Sequence, residues 1–176
     1  MEDSSILFEE YNNLSNKGMP DILTTVGLFN DYLYEWRCTM IGPQDSLYDK
    51  GLFYLKIKFP NDYPNNPPQI YFITPIYHLN VNHLASSMIP LGNVSLTALN
   101  NWKPEYRMKG ILPNIFALFY MTNTNSNYYG EDRKNELLYN KELYEQKVRY
   151  FTLKYANIEN DNVNQEYNYW DFTYNN

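Results

Sequence analysis

The chain has 176 residues, a formal net charge of −6 and an aromatic content of 18%. This length suits one domain with a sizeable core, and the acidic balance argues against a nucleic-acid partner, which requires a basic surface. Cys38 is the one cysteine, so an internal disulfide is excluded, and no apolar run is long enough to span a membrane. We therefore expect an intracellular protein, cytoplasmic or nuclear, or located in a host cell if its source is a virus or a parasite.

Periodicity predicts an N-terminal helix followed by four strands. Apolar residues recur at helical spacing between Ser5 and Asn16, and Gly18 ends the pattern. The period then becomes two in "YLYEWRCTMI" and again in "GLFYLKIKF", which is typical of strands with one buried face. Segments 22–28 and 69–73 complete a predicted four-stranded antiparallel meander.

The second half of the chain is predicted to be irregular at first and then helical. Residues 77–106 show no regular period, and a loop of that length is usually functional. An apolar stripe surrounds Pro113, a residue type that suits the first turn of a helix. After a polar gap at 122–135, apolar side chains recur through residues 141–156 in the pattern of an amphipathic helix. The prediction is an α+β fold with helices packed on one sheet.

Several segments, in this order, resemble the ubiquitin-conjugating (E2) enzyme family. "FPNDYPNNPP" (59–68) matches the family's Tyr-Pro-x-x-Pro-Pro loop, which we expect to be rigid and extended, and "TPIYHLN" (74–80) matches its His-Pro-Asn segment with Leu79 in place of proline. "GNVSLTALNNWKP" (92–104) matches the Gly-x-Ile-Cys-Leu segment and its following tryptophan, in the style of the large divergent E2 branch. "VRYFTLKYA" (148–156) resembles the last helix.

This resemblance implies an E2-like fold with an N-terminal helix, a four-stranded meander, a long irregular active-site segment and C-terminal helices. It assigns residues 1–157 to that domain and leaves residues 158–176 as an acidic tail, which we expect to be flexible. It also implies that ubiquitin or a ubiquitin-like protein is accepted from an activating enzyme (E1) and transferred to lysine, with a ligase (E3) as a further partner. No cofactor is implied.

The same resemblance places Ser95 where the family carries its catalytic cysteine, with His78 and Asn80 in the preceding tripeptide. Asn80 would supply the amide that stabilises the oxyanion when lysine attacks. A serine hydroxyl ionises far less readily than a thiol and normally needs an adjacent base. We therefore expect the chain as written to be inactive or very slow, and we expect Ser95 to be exposed and close to the Asn80 amide.

Two interpretations of Ser95 stay open. Ser95 is either an engineered Cys→Ser substitution in an active E2, which is our leading hypothesis, or a native loss that leaves a module binding ubiquitin or a ligase. A third hypothesis is a structural protein that borrows the fold. Asn80 does not decide between them, because an asparagine in such a loop can also tie the backbone together.

Partner docking departs from the family pattern. Many E2 enzymes carry phenylalanine where this chain has Asn65, and serine where it has Lys103. The first helix presents Glu9 and Glu10 where the family often offers basic residues, and about seven extra residues within 81–91 predict a flap beside the site. The candidate positions for E1 or E3 docking are Asn65, Trp102, Lys103 and Pro104.

Other reactive side chains favour structural roles. Four residues separate His78 from His83, with no cysteine or carboxylate pair nearby, which is poor zinc spacing, so we expect no metal. We expect His78 to satisfy backbone groups and His83 to be exposed. Cys38 alternates with apolar residues on a strand and is predicted to be a core thiol. No Gly-x-Ser-x-Gly elbow surrounds Ser95, which argues against a serine hydrolase.

Overall fold

The structure, a computed structural model, describes residues 2–84, 88–122, 124 and 129–157. The predicted tail, residues 158–176, lies outside these ranges. The first element is helix α1, Glu2–Lys17, which confirms the predicted N-terminal helix. It ends at Gly18, which has φ +63° and donates its N–H to the Leu14 carbonyl at 2.9 Å. A residue without Cβ adopts this left-handed conformation at little cost, so glycine ends the helix here.

The predicted antiparallel meander is confirmed. Its four strands are β1 (Thr25–Phe29), β2 (Tyr32–Ile41), β3 (Leu52–Lys58) and β4 (Gln69–Phe72). They lie side by side in chain order, and each pairs antiparallel with the next. Asn30 and Asp31, both with positive φ, form the tight connection between β1 and β2.

Alternation along the two central strands places their apolar residues in the core, as predicted. The fully buried members of this face are Trp36, Cys38, Met40, Phe53, Leu55 and Ile57. Cys38 pairs with Leu55 across the sheet, and burial raises the pKa of its thiol to about 12. The prediction that Cys38 is a core thiol is confirmed.

The proline-rich loop turns instead of extending, so the prediction of extended geometry was wrong. The Tyr63 N–H donates to the Pro60 carbonyl at 3.1 Å, and the Asn65 N–H donates to the Asp62 carbonyl at 2.8 Å. Proline restricts only its own φ and the residue before it. The intervening asparagine and aspartate residues favour turns, and they set the path of this loop.

The segment predicted to be irregular, residues 77–106, contains one short helix, α2 (Thr97–Asn100), and a 3₁₀ turn (Pro104–Tyr106). Three longer helices follow it: α3 (Arg107–Ala117), α4 (Glu131–Tyr139) and α5 (Lys141–Tyr155). The predicted helix over residues 141–156 is confirmed as α5, with Tyr144, Val148 and Phe151 buried. Within the ranges that the structure covers, no helix is both long and apolar enough to cross a bilayer.

Two helix predictions were wrong. Pro113 lies inside α3 and not in its first turn, because the helix begins at Arg107. Because proline has no N–H, the carbonyl of Lys109 lacks its usual helical hydrogen bond. Lys109 is exposed, so water can bond to that carbonyl. Helix α4 begins within the predicted polar gap, and its one buried residue is Arg133, so no apolar stripe marked it.

Candidate functional site

Residues His78 to Val81 form a tight turn that carries Asn80. The Val81 N–H donates to the His78 carbonyl at 3.2 Å, so Leu79 and Asn80 are the central residues of the turn. Leu79 and Asn80 are both fully buried. The turn therefore holds Asn80 inside the protein and not on a mobile loop tip.

The backbone of residue 95 lies directly against this turn. The Ser95 N–H donates to the Asn80 carbonyl at 2.8 Å, and Val94 forms an antiparallel bridge with Val81. Two segments that are 15 positions apart in the sequence are thus fixed side by side by main-chain hydrogen bonds. The backbones of Ser95 and Asn80 therefore lie side by side.

A cavity of about 330 Å³ contains both residues. Its wall includes Asn114 and Ala117 of helix α3 and the chain that follows the helix, among them Met121 and Thr122. Ser95 is only 8% exposed. The expectation that Ser95 would be exposed was wrong.

His78 is committed to the backbone. Its Nδ1 accepts the Asn80 N–H at 3.0 Å, so its Nε2 carries the hydrogen and donates to the Leu118 carbonyl, also at 3.0 Å. Burial lowers the pKa of His78 to about 4. The prediction that His78 satisfies backbone groups is confirmed, and the occupied ring nitrogens leave it unable to serve Ser95 as a base.

The buried His78 makes stability depend on pH. Its pKa is lower in the folded protein than in the unfolded chain, so the unfolded chain binds the proton first and stability is lost as pH falls below about 6.5. We expect His78 to lower the free energy of unfolding by roughly 2 kcal/mol from about pH 7 to about pH 5. His83, whose pKa is lowered to the same value, should add a similar decrease. Denaturant titrations across this range measure the slope. His78→Gln should remove about half of it, and an unchanged slope would contradict the assignment to His78.

Of the described residues in the inserted segment, Asn82 bonds to its neighbours within the segment and His83 contacts α4. Asn82 organises the segment: the buried side-chain amide donates to the Ile89 carbonyl at 2.9 Å, and its oxygen accepts the Leu84 N–H at 3.0 Å. His83 lies 3.5 Å from Asp132 with its side chain 14% exposed, so the expectation of an exposed His83 was wrong. Burial and the charge of Arg133 lower the pKa of His83 to about 4.

The four predicted docking positions lie together, apart from the cavity lining. Trp102 donates its indole N–H to the Pro64 carbonyl at 2.7 Å, which ties its loop to the proline loop that carries Asn65. Asn65 and Lys103 are exposed, and Pro104 is half-buried. The Trp102–Pro64 bond therefore brings the two loops to one end of the domain, where Asn65 and Lys103 are the exposed members.

Glu10 belongs to the interior of this end of the domain and not to an exposed acidic face. Its carboxylate accepts the Tyr63 hydroxyl at 3.0 Å and the Met108 N–H at 2.8 Å, and lies 3.6 Å from Arg107. Burial raises the pKa of Glu10, although these partners oppose the rise. Glu10 thus connects α1 with the proline loop and the start of α3.

Sequence patterns missed the side chains that hold the turn from the other side. Arg133 donates to the His78 carbonyl at 3.0 Å, and its guanidinium lies 4.1 Å from the centre of the Tyr77 ring. Tyr129 donates its N–H to the Leu79 carbonyl at 2.9 Å. A charged residue in a polar stretch gives no sign of burial, so Arg133 could not have been identified. Among the residues described, no group of three or more metal-binding side chains comes together.

Comparison with known proteins supports one family. The sequence profile described as "Ubiquitin-conjugating enzyme" matches residues 6–152. "Ubiquitin-conjugating enzyme E2 14" of Schizosaccharomyces pombe is 40% identical over 114 residues, which cover 64% of this chain and 68% of that protein. "Probable ubiquitin-conjugating enzyme E2 31" of Arabidopsis thaliana is 32% identical over 152 residues, which cover 84% of this chain and 90% of that protein.

Solved structures support the same fold. The E2 domain of a Toxoplasma gondii ubiquitin conjugating enzyme superposes with a TM-score of 0.71 at 26% identity. The match covers 86% of this chain and 97% of the Toxoplasma gondii domain. The predicted α+β architecture, a helix followed by a four-stranded sheet and further helices, is confirmed.

Proposed function

Because the chain belongs to the ubiquitin-conjugating enzyme family, we propose that residue 95 is its acyl-carrying position and that the serine there blocks rapid transfer. In this proposal a thiol at residue 95 attacks the thioester that joins the C-terminal carboxyl of ubiquitin, or of a related modifier, to an activating enzyme. The activating enzyme's thiol leaves. A lysine amine then attacks the new thioester, an amide bond forms, and the thiol at residue 95 is released.

One observation carries the proposal: residue 95 and Asn80 line the same cavity, with the Ser95 N–H bonded to the Asn80 carbonyl at 2.8 Å. We propose that the Asn80 side-chain amide reaches the acyl group held at residue 95 across this cavity. An oxyanion formed during attack needs such a donor. We assign Asn80 that role and assign His78 the role of positioning Asn80 through its backbone N–H.

Oxygen in place of sulfur accounts for slow transfer. A thiol with a pKa near 8.5 is a few per cent ionised at neutral pH, whereas a serine hydroxyl requires a base to remove its proton. His78, which accepts the Asn80 N–H, has both ring nitrogens bonded to backbone groups. Our leading interpretation remains that Ser95 replaces a cysteine by substitution, and that the unsubstituted protein is an active enzyme.

The second candidate function is a native, non-catalytic E2 variant that binds ubiquitin or a ligase. The low exposure of Ser95, 8%, favours it, because an unused acceptor position has no need of an open approach. Both candidates share the same docking end, where Asn65 and Lys103 are exposed. We propose that E1 or E3 partners contact this end, with altered specificity because these two residues depart from the family pattern.

The test is a charging assay on Ser95→Cys with an activating enzyme, ATP and ubiquitin. The active interpretation predicts an adduct that a reductant removes within minutes, while the unmodified chain forms none or forms only a reductant-resistant ester. Failure to form an adduct with ubiquitin and with several ubiquitin-like proteins would favour the binding module.

The control variant is Ser95→Ala, which removes the nucleophile without filling the cavity. It should form no adduct under any condition. The codon for residue 95 in the native gene separates an engineered serine from a native one, independently of the assay.

A further inference from the structure

Leu79 has a backbone N–H that needs a hydrogen-bond acceptor, whereas a proline at this position would have none. Leu79 is fully buried, and proline has no N–H at this position of the family's tripeptide. A buried N–H without an acceptor costs stability, so one must be supplied. The Tyr144 hydroxyl of helix α5 supplies it, because its oxygen lies 3.2 Å from the Leu79 nitrogen and is itself buried.

We infer that Tyr144 is a positioning residue, whose hydroxyl accepts the Leu79 N–H and thereby fixes the turn that presents Asn80 to residue 95. For its effect on transfer, the inference rests on the proposed function. Leu79 and Asn80 are the two central residues of one turn, so displacement of the Leu79 peptide moves Asn80 with it. A displacement of about 1 Å at a reacting group can slow a reaction 100-fold.

The surroundings of Tyr144 restrict its hydroxyl to this position. Its ring packs against the Tyr77 ring at 5.4 Å, and Tyr144 is only 2% exposed. Burial raises the pKa of Tyr144 to about 12, so the hydroxyl stays neutral. The tyrosine therefore reaches the turn as a fixed, uncharged acceptor held by the packing of α5.

The two residues form a matched pair that a double substitution can test. Leu79 occupies the first central position of the turn, where proline is favoured, so Leu79→Pro suits the backbone there. Alone, this change brings the proline ring against the Tyr144 hydroxyl. Tyr144→Phe alone leaves the Leu79 N–H without an acceptor. The double variant removes both the donor and the acceptor, so it should resemble the parent.

The first measurement is discharge of the charged Ser95→Cys protein to free lysine at several lysine concentrations. Tyr144→Phe should lower kcat about tenfold or more while KM for lysine and the charging step stay unchanged, and adding Leu79→Pro should restore kcat. Tyr150→Phe removes a half-exposed hydroxyl from the same helix and should behave as the parent. Losses that accumulate in the double variant, or a Tyr144→Phe protein that discharges at the parent rate, would overturn the inference.

The second measurement does not depend on transfer. Amide hydrogen exchange of the Ser95-containing protein should show Asn80 and Ser95 exchanging about tenfold faster in Tyr144→Phe, beyond any change at Leu55 in the core of the sheet. The double variant should return them to parent rates. If Ser95→Cys is never charged, the proposed function fails, and amide exchange alone decides the positioning role. If exchange at Leu55 accelerates as much as exchange at Asn80 and Ser95, Tyr144 only stabilises the whole domain, and the positioning role is contradicted.

Discussion

Replacing Asn80 with alanine in the Ser95→Cys protein is expected to slow discharge to free lysine by roughly 10²–10³-fold. Asn80 and residue 95 line the same cavity, and in our proposal the Asn80 amide donates to the developing oxyanion. Formation of the thioester should continue, because Asn80 acts when lysine attacks. Single-turnover discharge, started from purified charged protein, separates the two steps.

Asn82→Ala provides a matched control. Asn82 is also a buried asparagine and stands two positions further along, but its side chain bonds to the Leu84, Ile89 and Pro90 segment of the insertion. The Asn82→Ala variant should lower stability. Its discharge rate should stay within about threefold of the parent, because these Asn82 side-chain bonds do not involve residues 78–81 or residue 95. Equal losses in the two variants would mean that Asn80 only ties the loop together.

Glu10→Ala is expected to lower the free energy of unfolding by about 3 kcal/mol. The change removes the acceptor of the Tyr63 hydroxyl and the Met108 N–H, and leaves the partly buried Arg107 without its nearest carboxylate. For a domain of this size the melting temperature should fall by roughly 6–12 °C. Chemical and thermal unfolding measure both quantities.

Glu9→Ala is the control, because Glu9 is exposed on the same helix and carries the same charge. Its effect should stay within about 0.5 kcal/mol. Similar stability of the two variants would show that the Glu10 contacts contribute little. A Glu10→Gln variant should retain part of the stability, since the amide oxygen can still accept one hydrogen bond.

The fold was largely predictable because its apolar residues follow simple periods. Alternation in β2 and β3 and the helical spacing in α5 each bury one face, so pattern and structure agree. Helix α4 was not predicted because it has no apolar stripe. Its buried residue is Arg133, and a hydrophobic pattern does not detect a buried charged side chain. The position of Pro113 in α3 was wrongly predicted because the sequence pattern did not show that the helix begins at Arg107.

The site could be located by motif but not described in detail. The order of segments placed Ser95 near Asn80, and main-chain pairing between residues 80 and 95 places them side by side. Contacts that hold the turn come from Tyr129, α4 and α5, all more than 45 positions away along the chain, and nothing local specifies them. The low exposure of Ser95 depends on tertiary packing, which no local motif specifies.

The location of the modifier on the charged Ser95→Cys protein is the most direct measurement of the proposed chemistry. The protein also holds Cys38, a buried thiol in the core of the sheet. Peptide mapping by mass spectrometry should find the C-terminal glycine of ubiquitin joined to residue 95, released by reductant, with Cys38 unmodified. A modifier found on Cys38, attachment to lysine alone, or no adduct at residue 95 would contradict the assignment of residue 95 as the acyl-carrying position.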